Sequence, residues 1–210
     1  MRKRWEFGAG VVFGVLATSL MTAALGRTVT AQQNAPVPPS PSDNPELVRL
    51  YDEDQADRTP GIGKPINWLV VTLRDCLRET RVKAIYKTGA LHTGKDYQKA
   101  AMVLQHAHQP EDFLLAHEFC VAALAKGERN ARWLAAATED RFLMNIGRPQ
   151  RFGTQYRSSS TDRPVRLYEV GPGVTDSLRG EFGVPTLAEA REREAMMDEV
   201  VRGKKQLKKP

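Results

Sequence analysis

The chain has 210 residues, 41% hydrophobic and 27% charged, with a formal net charge of +6 and two cysteines. Residues 1–31 hold four of the 31 basic residues and one of the 25 acidic ones, which leaves 27 against 24 in the remainder, alternating along segments such as 189–194. That balance excludes a clustered basic groove for nucleic acid. The absence of any CxxC pair argues against a thiolate metal clip or a thioredoxin-like redox centre.

The chain opens with Met1-Arg-Lys-Arg4, then an uncharged run from Phe7 to Leu25, then Val29-Thr30-Ala31 before Gln32. This reads as an export signal peptide with a small-residue cleavage site. The apolar run is also near the length of a single membrane-spanning anchor. Under either reading the basic start stays in the cytoplasm, and the rest is exported to the periplasm or beyond. The segment 32–45 carries five prolines among Ser, Asn and Gln, and reads as an extended linker. One domain is expected over 46–203, followed by a basic tail, 204–210.

Within the domain, Asn44-Pro45 opens a helix with Leu47, Leu50 and Tyr51 on one face. A second helix is expected over about 67–87, with Trp68, Val71, Cys76 and Leu77 as its apolar residues and Gly89 as its stop. Thr93-Gly-Lys-Asp96 is a capping-box start for a third, ending near His106. Pro110 opens a fourth, to Ala125. Asn130 opens a fifth, ended by Gly147. Residues 148–173 change character and read as an ordered loop with a short hairpin, in which Val165, Leu167 and Glu169 alternate. Two helices follow, about 175–182 and 187–202. The expected class is mostly α: a bundle of about five antiparallel helices, a loop or hairpin, and one or two C-terminal helices. No internal period near 34 residues marks a helical repeat. Cys76 and Cys120 both fall on helices among apolar neighbours, which leaves two buried free thiols or a disulfide open.

Three polar positions interrupt apolar stripes. His117 lies on Phe113, His117, Cys120, Leu124. Asp140 lies on Trp133, Ala137, Asp140, Met144. Gln105 and His106 close an apolar turn. Polar groups on such faces need partners. Short connections make the third, fourth and fifth helices antiparallel, so His106, Asp140, Arg141 and the loop carrying Gln150, Thr154 and Gln155 are expected at one end of the bundle.

These residues also carry a resemblance. Gln105-His106-Ala107, Asp140-Arg141 and Pro149-Gln150-Arg-Phe-Gly153-Thr154-Gln155 resemble the signature of an uncharacterised bacterial family known only as a domain of unknown function. Asp54-Gln55-Ala-Asp-Arg58 and the 175–185 segment resemble its pattern too, so the resemblance spans about 47–190 and adds Gln55 and Arg58 as candidate binding residues. It implies no activity and no catalytic residues.

Among chemistries, the sharpest is an acid–base site with His106 oriented by Asp140, Arg141 holding an anionic group and Gln155 positioning a substrate. The plainer reading makes the same residues fixers of helix ends. Metal is not expected: His106 and His108 point to different faces, and His117-Glu118 has Val121 where HExxH needs its second histidine. There is no G-x-S-x-G elbow, and Gly61-Ile-Gly63-Lys64 lacks the phosphate-loop spacing. The reading is a binding or interaction domain of the cell envelope, without cofactor, taking an envelope protein or small polar ligand through Gln55, Arg58, Gln105, His117, Gln150, Thr154 and Gln155. A hydrolase or transferase using His106 and Asp140 is the alternative, and a purely structural envelope protein the third.

Overall fold

The computed structural model describes residues 41–59, 61, 64–157 and 164–207. The leader, most of the linker, part of the 61–64 turn, the Ser158–Ser160 run and the end of the basic tail lie outside the described residues. No helix among the described residues is long and apolar enough to cross a membrane.

Seven α-helices and one two-stranded antiparallel ribbon make up the described chain: α1 Pro45–Arg58, α2 Trp68–Lys87, α3 Gly94–Leu104, α4 Pro110–Ala125, α5 Ala131–Asn145, β1 Tyr156–Arg157, β2 Arg166–Leu167, α6 Asp176–Glu181 and α7 Leu187–Leu207. The molecule is therefore mostly α, a helical bundle with a short ribbon before its last two helices.

Local chemistry sets the helix starts. Asn44 caps α1, its Oδ1 accepting from Glu46 N and Leu47 N, and Pro45 occupies the first turn, where a missing N–H costs nothing. Thr93 and Asp96 form the reciprocal capping box of α3. Asp96 is fully buried, and its oxygens also accept from Asn44 N at 2.7 Å and His92 N at 2.9 Å, so one carboxylate fastens the starts of α1 and α3 together. Gly94 lets α3 begin close to the end of α4: a Cβ there would stand 2.8 Å from Glu128 Cβ and 3.2 Å from the Ala123 carbonyl oxygen.

α3, α4 and α5 pack side by side, with α1 and α2 against α3. The core between them is Leu47, Leu50, Val82, Ile85, Leu104, Phe119, Leu134 and many alanines. Phe119 is central, meeting Tyr86 and Tyr97 edge-on at ring distances of 5.0 and 5.7 Å. A smaller cluster of Ala136, Phe152 and Val184 seats the 148–155 loop on α5.

α2 departs from the expected arrangement. Its inward stripe is Val71, Asp75, Arg78, Val82 and Ile85, so two charged residues face in. Leu69, Leu73 and Leu77, spaced four apart, face out and are 73%, 61% and 72% exposed, and Trp68 is 62% exposed. Cys76, expected among buried apolar neighbours, lies on this open face, while Cys120 is buried; both are free thiols, so the disulfide alternative is corrected.

The ribbon pairs Tyr156 with Leu167 and Arg157 with Arg166. A parallel bridge joins Gln150 to Val170. Gly153 turns this loop in the left-handed region at φ +76°, where a side chain would also press on Arg179 Nη1 at 3.2 Å. Tyr156 Oη donates to the Ala190 carbonyl, tying the ribbon to α7.

Candidate functional site

The stripe that begins with Leu47 and Leu50 continues along α1 to Asp54 and Arg58. Asp54 is fully buried, and a carboxylate in that position needs several donors to stay charged. It has them. Arg58 Nη1 donates to Asp54 Oδ1 at 2.8 Å, Gln55 Nε2 donates to Oδ2 at 2.7 Å, and His106 Nδ1 lies 3.1 Å from Oδ1. The second guanidinium nitrogen of Arg58 reaches across to α2, donating to Asp75 Oδ2 at 2.7 Å. The other oxygen of Asp75 accepts from Arg78 Nη2 at 2.7 Å, and Arg78 Nη1 donates to Asp57 Oδ2 at 2.8 Å. Asp57 also accepts from the more exposed Arg74 at 2.5 Å.

These paired charges explain why α2 can turn Asp75 and Arg78 inward. Burial works against the charge on Arg78, but its bonds to Asp75 and Asp57 outweigh that and raise its pKa above the ordinary arginine value. Burial likewise pushes the Asp57 carboxyl up, yet Arg78 and Arg74 hold it below the usual aspartate range.

One cation has no such partner. Arg141, on α5, makes no side-chain hydrogen bond and no ion pair among the described residues, and its buried Nε has no acceptor. Burial, and then the positive charge of nearby Arg58, hold its pKa below the ordinary arginine value. The cluster thus sets Arg58, Arg74, Arg78 and Arg141 against Asp54, Asp57 and Asp75. His106 aside, four guanidiniums face three carboxylates, and Arg141 is the one without a carboxylate partner among the described residues. His106 and Arg58 keep 19% and 18% of their side chains open to solvent, so the cluster is reached from outside.

The structure brings together His106, Gln55 and Arg58 from the expected set, with Arg141 close enough to Arg58 for their charges to oppose, and it adds Asp54, Asp75 and Arg78. It places the others elsewhere. The carboxylate beside His106 is Asp54, which corrects the expected His106–Asp140 pair. Asp140 is fully buried and spends both oxygens on the following loop: Oδ1 accepts from Arg151 N at 2.7 Å and Phe152 N at 2.9 Å, and Oδ2 from Thr154 N at 2.9 Å and Thr154 Oγ1 at 2.7 Å. Gln150 is buried; its Nε2 donates to the carbonyls of Gln155 and Tyr168, and its Oε1 accepts from Gln155 N. Gln155 Nε2 donates to Thr154 Oγ1 at 2.9 Å and the Ala137 carbonyl at 3.4 Å, so its amide nitrogen is spent on the loop and on α5. Arg179, on α6, closes the same loop from the far side through the carbonyls of Phe152 and Arg151. Gln105 is buried with its amide on the Met102 sulfur. His117 Nδ1 meets the Ala135 carbonyl at 2.9 Å, a bridge from α4 to α5.

Asp54, Asp75 and His106 each offer one donor atom within 4.8 Å of the others, a spacing that would suit a cation. Arg58 already bridges both carboxylates, so a metal there would have to displace it.

Sequence reasoning took Gln55 and Arg58 only through resemblance and did not single out Asp54 or Asp75. The signal for Asp54 was present: it lies four residues after Leu50 on the same stripe. Comparison with known protein families, with characterised proteins and with solved structures gives no match for this chain.

Proposed function

We propose that the chain is a binding module whose recognition site is the end-of-bundle cluster of Arg58, His106 and Arg141, and whose ligand carries a carboxylate or phosphate group. The single observation behind this reading is Arg141, a half-buried arginine whose buried Nε has no acceptor and which has no counter-ion among the described residues, with the charge of Arg58 nearby. A fold gains nothing from such a charge, whereas a planar fork of donors suits an oxyanion. His106, held through Nδ1 by Asp54, leaves Nε2 to meet a polar oxygen of the same ligand. Of the residues that carry the resemblance to the uncharacterised family, Asp54, Gln55, Arg58 and His106 meet in this cluster, while Asp140, Gln150, Thr154 and Gln155 fasten the 148–155 loop. The basic start and apolar run support an exported, envelope location.

The test is isothermal calorimetry of the chain with inorganic phosphate and with succinate, beside Arg141→Met. The reading expects saturable binding to the unaltered chain and none to the variant; equal heats from both would overturn it.

The His106–Asp54 bond favours a second reading, a hydrolase or transferase in which Asp54 orients His106 as general base and Arg141 holds the anionic part of the substrate. Turnover of phosphate or carboxylate esters that His106→Gln abolishes while ligand binding persists would favour it over simple binding.

A further inference from the structure

The outward face of α2 is apolar and open to solvent. Leu69, Leu73 and Leu77 stand one turn apart, each more than half exposed, with Val70, Cys76 and Thr80 beside them. No charged residue lies in this stripe. The flanking Arg74 and Arg81 are already neutralised within the chain, Arg74 by Asp57 at 2.5 Å and Arg81 by both oxygens of Glu46 at 2.5 and 2.6 Å. On the opposite edge Lys83 is paired with Glu79 and Asp112, so the charges that flank the stripe are already matched within the chain.

We propose that this face is covered by a second copy of the chain, in a twofold dimer whose two α2 helices run antiparallel with the axis passing at Leu73. Three features favour that occupant. The leucine spacing is symmetric about Leu73, so a twofold axis there sets Leu69 of each copy against Leu77 of the other, as an isologous interface requires. The edge carrying Arg74 and Arg81 meets its own equivalent, and that contact is tolerable because both arginines have carboxylate partners. Trp68, Leu69, Leu73 and Leu77, each more than 60% exposed, form the apolar centre of a patch to be set against about 800 Å² per partner in a standard interface. The stems of Arg74 and Arg81 with Thr72 and Thr80 supply much of the rest. An interface of that size gives a reversible, concentration-dependent dimer. This inference is independent of the anion site.

The register fixes where Cys76 falls. It stands three residues from the axis, so the two Cys76 positions are separated by about 9 Å along the helices at 1.5 Å per residue. That exceeds what a disulfide spans but suits a short bis-maleimide.

The experiment is sedimentation velocity of the full chain over a micromolar concentration series, beside Leu73→Glu and Leu69→Lys, with bis-maleimide cross-linking in parallel. Far-UV circular dichroism and melting temperature follow each variant's fold. The expected result is a dimer whose dissociation constant rises by about tenfold or more in both variants, since each puts a charge into the apolar contact, with an unchanged melt because neither leucine is in the core. Cross-linked dimer should form in the unaltered chain and disappear in Cys76→Ser and in Leu73→Glu. A monomer at every concentration overturns the proposal. So does a dimer untouched by both leucine variants, or a Cys76 cross-link that Leu73→Glu leaves intact.

Discussion

Replacing Arg141 by Met should make the protein more stable and less able to bind. Met keeps most of the unbranched stem and its packing but removes the guanidinium. The native protein holds that group with an unsatisfied buried Nε, no ion pair among the described residues, and Arg58 close enough to disfavour its charge. An unpaired buried polar group costs about 1–3 kcal/mol. Removing it should therefore stabilise by about 1–2 kcal/mol once some lost packing is set against the gain. For a chain of this size that is a rise in melting temperature of about 2–8 °C. The contrast is Arg58→Met, which strips donors from the buried carboxylates of Asp54 and Asp75 and should cost about 3–5 kcal/mol. Thermal unfolding followed by circular dichroism, with urea titration as a second measure, checks both. A fall in stability for Arg141→Met comparable with that of Arg58→Met would refute the reasoning, because it would mean that Arg141 is a structural charge with a partner.

Other outcomes follow from the same geometry. Asp140→Ala leaves four loop donors without their acceptor, two of them Arg151 N and Phe152 N, so it should destabilise by about 2–4 kcal/mol; amide exchange should accelerate at 151–154 while the His106 imidazole resonances stay put, and perturbed His106 resonances would restore a direct role for Asp140. Asp57 has its folded pKa held below the ordinary value, so its contribution is present at neutral pH, begins to fade near the unfolded value of about 3.9, and is lost as pH falls through the lower folded value; Asp57→Asn should flatten the acid side of the stability curve, and an unchanged curve would refute this. Burial pushes the Cys120 thiol up to about 12, whereas Cys76 is exposed; Ellman's reagent should titrate one thiol in the native protein and two in denaturant, and two rapid thiols in the native state would contradict the packing of α4.

The elements were legible because their ends are marked by local chemistry. Asn44-Pro45, Thr93 with Asp96, Pro110 and Gly147 act within a few residues, so the helix limits expected from them fall within a few residues of those observed. The orientation of α2 was not legible, for a physical reason. Hydrophobic periodicity assumes that charge faces out, and α2 inverts the rule: Asp75 and Arg78 face in because α1 supplies Arg58 and Asp57 to satisfy them, which leaves the leucines outside. The same long-range pairing hid the partner of His106. Antiparallel packing of α3, α4 and α5 led to the expectation of His106 and Arg141 at one end of the bundle, and in the structure both neighbour the α1 pair Asp54 and Arg58. The choice of Asp140 as orienter failed because the loop amides of 151–154 claim that carboxylate first, while Asp54, 52 residues away in sequence, arrives on a neighbouring helix.

The most direct test of the anion site is a long-range proton–nitrogen spectrum of the imidazoles during titration with inorganic phosphate. The chain has four histidines, and only His106 belongs to the cluster. The account predicts that the His106 nitrogens shift saturably, that His92, His108 and His117 do not, and that Arg141→Met abolishes the response. Uniform small shifts of all four histidines, or a His106 response that survives Arg141→Met, would contradict it.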